Sequence, residues 1–150
     1  MASSRKTQII AALLARLRTI KVAAGYERDV MTVHRSAAGL PMKASLDGIC
    51  ILSAEQDKRN GLEPVAPVTL TVTLLAVVRE HHDLEDAVDA LEADIEKAIG
   101  VDPSFGELAI DSRVVACREL VSEGLPNIGG TEMVIEIKFR HGIGDPYSAT

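Results

Sequence analysis

The stretch Thr69-Leu70-Thr71-Val72-Thr73-Leu74-Leu75-Ala76-Val77-Val78-Arg79 decides how the rest of the chain is read. Leu70, Val72, Leu74, Ala76 and Val78 share one face at period two. Thr69, Thr71, Thr73 and Arg79 share the other, where Leu75 and Val77 add an apolar end. The run is rich in β-branched residues and contains no Gly or Pro, which specifies a strand. After the polar break Glu80–His82 the spacing turns helical: Leu84, Val88, Leu91, Ile95 and Ile99. A strand with an apolar face, followed by a helix with an apolar stripe, predicts that the two pack on each other.

That helix is expected over residues 83–99. Asp83 is placed to cap it, Glu85 and Asp86 lie in its first turn, Lys97 in its last, and Gly100 is placed to end it. Its outward face is read as acidic: Asp83, Glu85, Asp86, Asp89, Glu92, Asp94 and Glu96 against one lysine. Beyond a turn at Val101–Gly106, strands are expected at Arg113–Val121 and Thr131–Arg140, joined by a Leu125–Gly130 loop. In the last strand Met133, Ile135, Ile137 and Phe139 alternate with Glu132, Glu136, Lys138 and Arg140, a half-buried pattern. Residues 141–150 read as an extended tail.

Toward the N-terminus, residues 5–21 read as an amphipathic helix. Ile9, Ile10, Leu13, Leu14, Leu17 and Ile20 form its apolar face, and Ser3, Ser4 or Thr7 is its cap. Its charges are all basic: Arg5, Lys6, Arg16, Arg18 and Lys21. Gly25 releases the chain into an extended segment, Asp29–Ser36, then a turn at 38–41 and a strand over 44–54. Glu55–Pro67 reads as a long polar loop with an Asn-Gly turn signal. The order helix, two strands, central strand, helix, two strands predicts an α+β domain. It has a mostly antiparallel sheet of four to five strands with both helices on one face.

Composition narrows the function. The chain has 150 residues, 47% hydrophobic and 25% charged, the size of one domain with its own core. Only 3% of residues are aromatic, which argues against a base-stacking platform, and the net charge of -6 argues against general nucleic-acid binding. Cys50 and Cys117 both read as buried free thiols. No signal peptide or membrane-spanning run is read, so a cytoplasm-like compartment is expected.

No catalytic constellation is read: no nucleophile motif, phosphate loop, dinucleotide fingerprint or zinc spacing. His81 and His82 are adjacent, so on an extended segment they point apart and chelate poorly. Glu92 and Glu96, four residues apart on an exposed helix face, read as ordinary surface. No metal or cofactor is expected.

Taken together, several short signatures carry a family resemblance. They are Gly25-Tyr26-Glu27-Arg28-Asp29-Val30 after the opening helix, the Asp83–Glu96 helix after the central strand, Asp102-Pro103 with the Gly106 turn, and Gly144-Asp145-Pro146 after the last strand. In this element order the chain resembles the tail-terminator, or tail-completion, proteins of long-tailed bacteriophages and related minor tail proteins. The resemblance implies an α+β sandwich that forms a hexameric ring on the finished tail tube. The ring stops polymerisation of the tube and offers a surface to the neck proteins, and DNA passes through without specific binding. On this reading the protein resides in the virion, at the head–tail junction, after assembly in the host cytoplasm.

The resemblance puts a reaching hairpin tip at Asp57, Lys58, Arg59, Asn60, Gly61, Leu62 and Glu63. Arg16 and Arg18 on the first helix, with Glu85, Asp89, Glu92 and Glu96 on the second, are candidate subunit-interface or lumen charges. The alternatives are a head–tail connector or neck component and, from a different class, a small α+β ligand-binding or regulatory domain.

Overall fold

The computed structural model describes residues 3–36, 47–59, 64–121 and 127–147. The expected central strand is present and longer than its apolar run: β3 spans Val65–Arg79. It lies in the middle of a five-stranded sheet. The other strands are β1 (Thr32–His34), β2 (Gly48–Lys58), β4 (Asp111–Val121) and β5 (Ile128–Gly142), in the order β1-β2-β3-β5-β4. Every pairing is antiparallel except β1 on β2. The β3–β5 ladder runs from Val65 opposite Gly142 to Arg79 opposite Ile128. The fold is the expected α+β sandwich.

Alternation on β3 decides which face is core. Val68, Leu70, Val72, Leu74, Ala76 and Val78 are buried, and the residues between them from Thr69 to Arg79 are half-buried. Across the ladder Leu70 meets Ile137, Val72 meets Ile135 and Leu74 meets Met133. The helices α1 (Arg5–Leu17) and α2 (Leu84–Val101) both cover this face, and their apolar stripes join one core cluster with it. Each Leu or Ile so buried contributes roughly 1.5–3 kcal/mol by transfer from water. On the opposite face, Thr69, Thr71 and Thr73 run into Leu75 and Val77, and among the described residues no helix lies on that side.

Several boundaries differ from expectation. The Glu55–Pro67 loop is largely strand: β2 continues to Lys58, β3 begins at Val65, and the Arg59 N–H donates to the Pro67 carbonyl at 3.1 Å. A proline is tolerated in this central strand because its missing N–H points at β2 where β2 runs out. Likewise Ile128–Gly130 belongs to β5 and not to a loop. Two glycines there give no alternation signal, but a Cβ on Gly130 would lie 2.9 Å from the Ala76 carbonyl oxygen and one on Gly129 3.0 Å from Val88. Neighbouring groups occupy the space that side chains would need.

The helix ends also moved. Ser4 caps α1, accepting the Thr7 N–H at 3.2 Å, but the helix stops at Leu17, and Ile20 is buried beyond it. Gly100 lies inside α2, which ends at Val101. Asp83 stands at the N-cap position with φ 52°, and its side chain makes no capping bond. The extended segment before β2 contributes only Thr32–His34 as strand, while the turn expected at 38–41 lies outside the described residues. Cys50 is buried as expected, but Cys117 is exposed: it sits on β4, the edge strand of the sheet. Both are free thiols.

Candidate functional site

The expected site residues fall in three places. The first is the β2–β3 hairpin. Asp57 and Lys58 are exposed on the last turn of the ladder, opposite Thr69 and Val68, and Arg59 follows them. Asn60, Gly61, Leu62 and Glu63 lie outside the described residues. The ladder holds this end on both sides, since the Ile143 N–H donates to the Pro64 carbonyl at 3.0 Å.

The second place is the outer side of α2. Glu85, Asp89, Glu92 and Glu96 recur at helical spacing and form one stripe that flanks β4. Asp89, Glu92 and Glu119 bring carboxylate oxygens within 4.8 Å of one another. A side-chain hydrogen bond that the protonated Glu119 carboxyl donates to Asp89, and then the negative charge of Asp89, hold Glu119 above its usual range. Glu92 accepts the Thr131 hydroxyl at 2.5 Å. Further along, partial desolvation of its sulfur, and then the charges of Glu92 and Glu96, push the thiol of the otherwise exposed Cys117 up. Asp94 is not part of this face: it is 2% exposed and points inward.

The third place is α1, where the structure separates the two candidate cations. Arg16 faces α2, donating to the Ala98 carbonyl at 3.2 Å and lying 3.9 Å from the Asp102 carboxylate. Arg18 faces the other way, donating to the Val33 carbonyl of β1 at 3.2 Å. So within one subunit α1 is already ion-paired to the turn that follows α2, and Arg18 points away from it.

Two further clusters lie outside the site residues read from the sequence, although the second falls in the expected Val101–Gly106 turn. Asp94 accepts the backbone N–H groups of Glu27 and Arg28, the latter at 2.9 Å. The Arg28 guanidinium then forks onto Asp47, with Nε at 2.6 Å and Nη2 at 3.2 Å, and reaches Glu80 at 3.4 Å. The Asp47 hydrogen bond raises the Arg28 pKa, and the bond from Arg28 holds Glu80 below the usual carboxylate range. This latch borders an open cleft of about 340 Å³ lined by Val22, Glu27, Arg28, Asp29, Met31, Asp47 and Arg79. The one signal for it was the short charged run Glu27-Arg28-Asp29 after the first helix.

The other cluster is the turn after α2. Asp102 accepts the Ser104 hydroxyl at 2.6 Å, the Ser104 N–H at 3.1 Å and the Gly106 N–H at 2.8 Å. These bonds, the Ser104 hydroxyl foremost, hold its carboxyl below the usual range. They fix three consecutive left-handed residues: Phe105 at φ 50°, Gly106 at 70° and Glu107 at 69°.

Chemically, these places offer charge and hydrogen bonding. Among the described residues, the only histidine, cysteine and carboxylate group with metal-like closeness is Asp89, Glu92 and Glu119, of which Glu92 is half-buried, and neither His81 nor His82 joins one. No helix among them is long and apolar enough to cross a membrane.

No family model matches the chain, and no curated protein matches it significantly. Among solved structures, it is similar to a chain from the virion of a native gene transfer agent (GTA) particle. That alignment covers 92% of each chain at 8% identity, with a TM-score of 0.45. A likeness this loose carries no conclusion about function.

Proposed function

We propose that the protein is a non-enzymatic assembly part of a phage-like tail, a terminator that closes the tail tube as a ring. One observation carries the reading. The family resemblance implies an α+β sandwich, and the chain has that layout: a mostly antiparallel sheet with both helices on one face. The features around it fit a structural part. The charged latch at Arg28 and the Asp102 turn are closed by internal partners, and the exposed chemistry is carboxylate and guanidinium surface.

In this role the ring, a hexamer of this chain, sits at the head–tail junction of the virion. It contacts tube protein on one side and neck proteins on the other, and DNA passes through it unbound. The acidic net charge of -6 suits such a passage by repelling the phosphate backbone. The β2–β3 hairpin end, with Asp57, Lys58 and Arg59, is the contact to the tube or neck.

The test is polymerisation of the cognate tube protein with and without this chain, with tube lengths measured by electron microscopy. Tubes of limited length, each bearing a ring at one end, are expected. Tubes that grow unchecked overturn the reading. Binding to portal-side proteins with no effect on tube length assigns a connector role instead.

A further inference from the structure

The two lateral edges of this sheet carry opposite, uncancelled charge. At one edge α2 lies beside β4, and the stripe Glu85, Asp89, Glu92 and Glu96 is joined there by Glu119. None of these five enters an ion pair among the described residues. The crowding is real enough to hold Glu119 above its usual range, chiefly through Asp89. The two arginines of β4 do not relieve it. They lie toward the opposite face, Arg118 paired with Glu132 at 2.8 Å and Arg113 with Glu136 at 3.5 Å.

The far edge is built from α1 and β1. Arg18 donates to the Val33 carbonyl, Lys21 donates to the Val30 carbonyl, and Arg35 follows β1, exposed. A bond to a neutral carbonyl leaves the cation's charge uncancelled and most of its donors spare. None of the three enters an ion pair among the described residues. The nearby groups are His34 on β1 and the carboxylate of Asp29, which accepts the Val22 N–H at 2.7 Å.

Distance decides where these charges find partners. Four inter-strand steps separate β1 from β4, which puts roughly 19 Å between the edges. Screening at physiological salt acts over about 8 Å, so the edges cannot neutralise one another within a subunit. A second copy, set beside the first, brings acid to base at contact. Because the two surfaces differ, the contact is head-to-tail, the kind that closes into rings when the rotation permits.

From this sidedness we infer that the α2–β4 edge of one copy docks on the α1–β1 edge of the next, through Glu85, Asp89 and Glu96 against Arg18 and Arg35. The inference rests on the ring proposed above and names its seam. It also removes Arg16 from that seam, since Arg16 is spent on Ala98 and Asp102 inside the subunit.

The test uses the full chain in analytical ultracentrifugation at about 0.1 M and about 1 M salt, over which the screening length falls from ~10 to ~3 Å. Oligomers at the lower salt that weaken roughly tenfold or more at the higher are expected. Two variants sharpen the result, one carrying Glu85→Lys, Asp89→Lys and Glu96→Lys, the other Arg18→Glu and Arg35→Glu. Each alone has two like-charged edges and stays small, and an equimolar mixture, alternating around the ring, regains the large species.

A wild-type chain that stays monomeric at low salt overturns the inference, as does assembly indifferent to salt or reversal variants that assemble unchanged. Should the variants fail to fold by circular dichroism, the wild-type salt series decides alone. The terminator reading is judged separately, by wild-type control of tube length. Rings that limit the tube yet ignore both salt and charge reversal sink this seam and leave that role standing.

Discussion

The Asp94 carboxylate on α2 accepts the backbone N–H of Arg28 at 2.9 Å, and among the described residues it enters no ion pair. With the Glu27 N–H also bound, this one buried side chain ties the crossing between α1 and β1 to the middle of the second helix. It replaces water for two donors that no strand or helix satisfies.

Asp94→Ala therefore leaves two N–H groups without a partner in a part-buried place. Hydrogen bonds to a charged group contribute about 1.5–3 kcal/mol each, and the variant is expected to lose about 2–3 kcal/mol of stability. Urea denaturation followed by circular dichroism measures it. A loss below about 0.5 kcal/mol would mean that the 27–28 backbone is solvated instead.

Gly130→Ala is a test of register. The added Cβ meets the Ala76 carbonyl oxygen at 2.9 Å, and that oxygen belongs to the backbone of the central strand, which cannot step aside cheaply. A destabilisation of about 1–3 kcal/mol is expected. Gly100→Ala, an exposed helical position with no neighbour near its Cβ, is the control. It should raise stability by about 0.5–1 kcal/mol.

Glu107 holds φ 69° with an exposed side chain, in a region where asparagine is far more at ease. Glu107→Asn keeps the N–H that donates to the Ser104 hydroxyl at 3.2 Å and relieves the strain. A gain of about 0.5–1 kcal/mol, read as a rise in Tm, is the expected result. A fall in Tm would show that the glutamate side chain is needed at this turn.

The pH response has two arms of opposite sign. Glu119 has its folded pKa raised, so the folded state holds its proton more tightly than the unfolded state. Its effect is to lower stability as pH rises from the usual glutamate range through the raised folded value. Glu119→Gln should therefore raise Tm at neutral pH, and the advantage should vanish at acid pH. Asp102 runs the other way: its folded pKa is depressed. It adds stability above the unfolded aspartate range, lost as pH falls through the folded value, so Asp102→Asn should lower Tm at neutral pH and matter little in strong acid. Thermal melts of each variant across pH 2–8 check both signs.

Period-two and helical spacing made most of the fold legible. Leu70–Val78 and Met133–Phe139 are half-buried strands whose alternation names the core face, and the stripe from Leu84 to Ile99 names the helix that covers it. Legibility failed where local signals pointed away from tertiary need. Pro64, Pro67 and the charges between Glu55 and Glu63 looked like a loop, yet pairing with β5 carries the strand through Pro67. Gly129 and Gly130 looked like a turn because the requirement they meet is space for α2 and β3, which no one-dimensional pattern records. Asp94 occupies a polar position of the helical pattern, which by spacing alone points outward; only the approach of residues 27–28 makes it an internal acceptor. The stripe of Glu85, Asp89, Glu92 and Glu96 was visible, but that Arg16 and Arg18 point to opposite sides of α1 was not.

The uninterrupted pairing of β3 with β5 also bears on how the chain reaches its shape. The two strands are separated in sequence by α2 and β4, so their ladder closes a long stretch of chain, while β2 and β3 need only a hairpin. Local pairing is fast and distant pairing slow, which puts the hairpin first and the β5 insertion as the step that limits the folding rate. Until β5 arrives, one margin of β3 is bare, a template on which a second nascent chain can pair wrongly. Slow cooling or high expression should therefore divert this protein into aggregates more readily than its finished stability suggests, and a chaperone that shields the hairpin would raise the yield without altering the product.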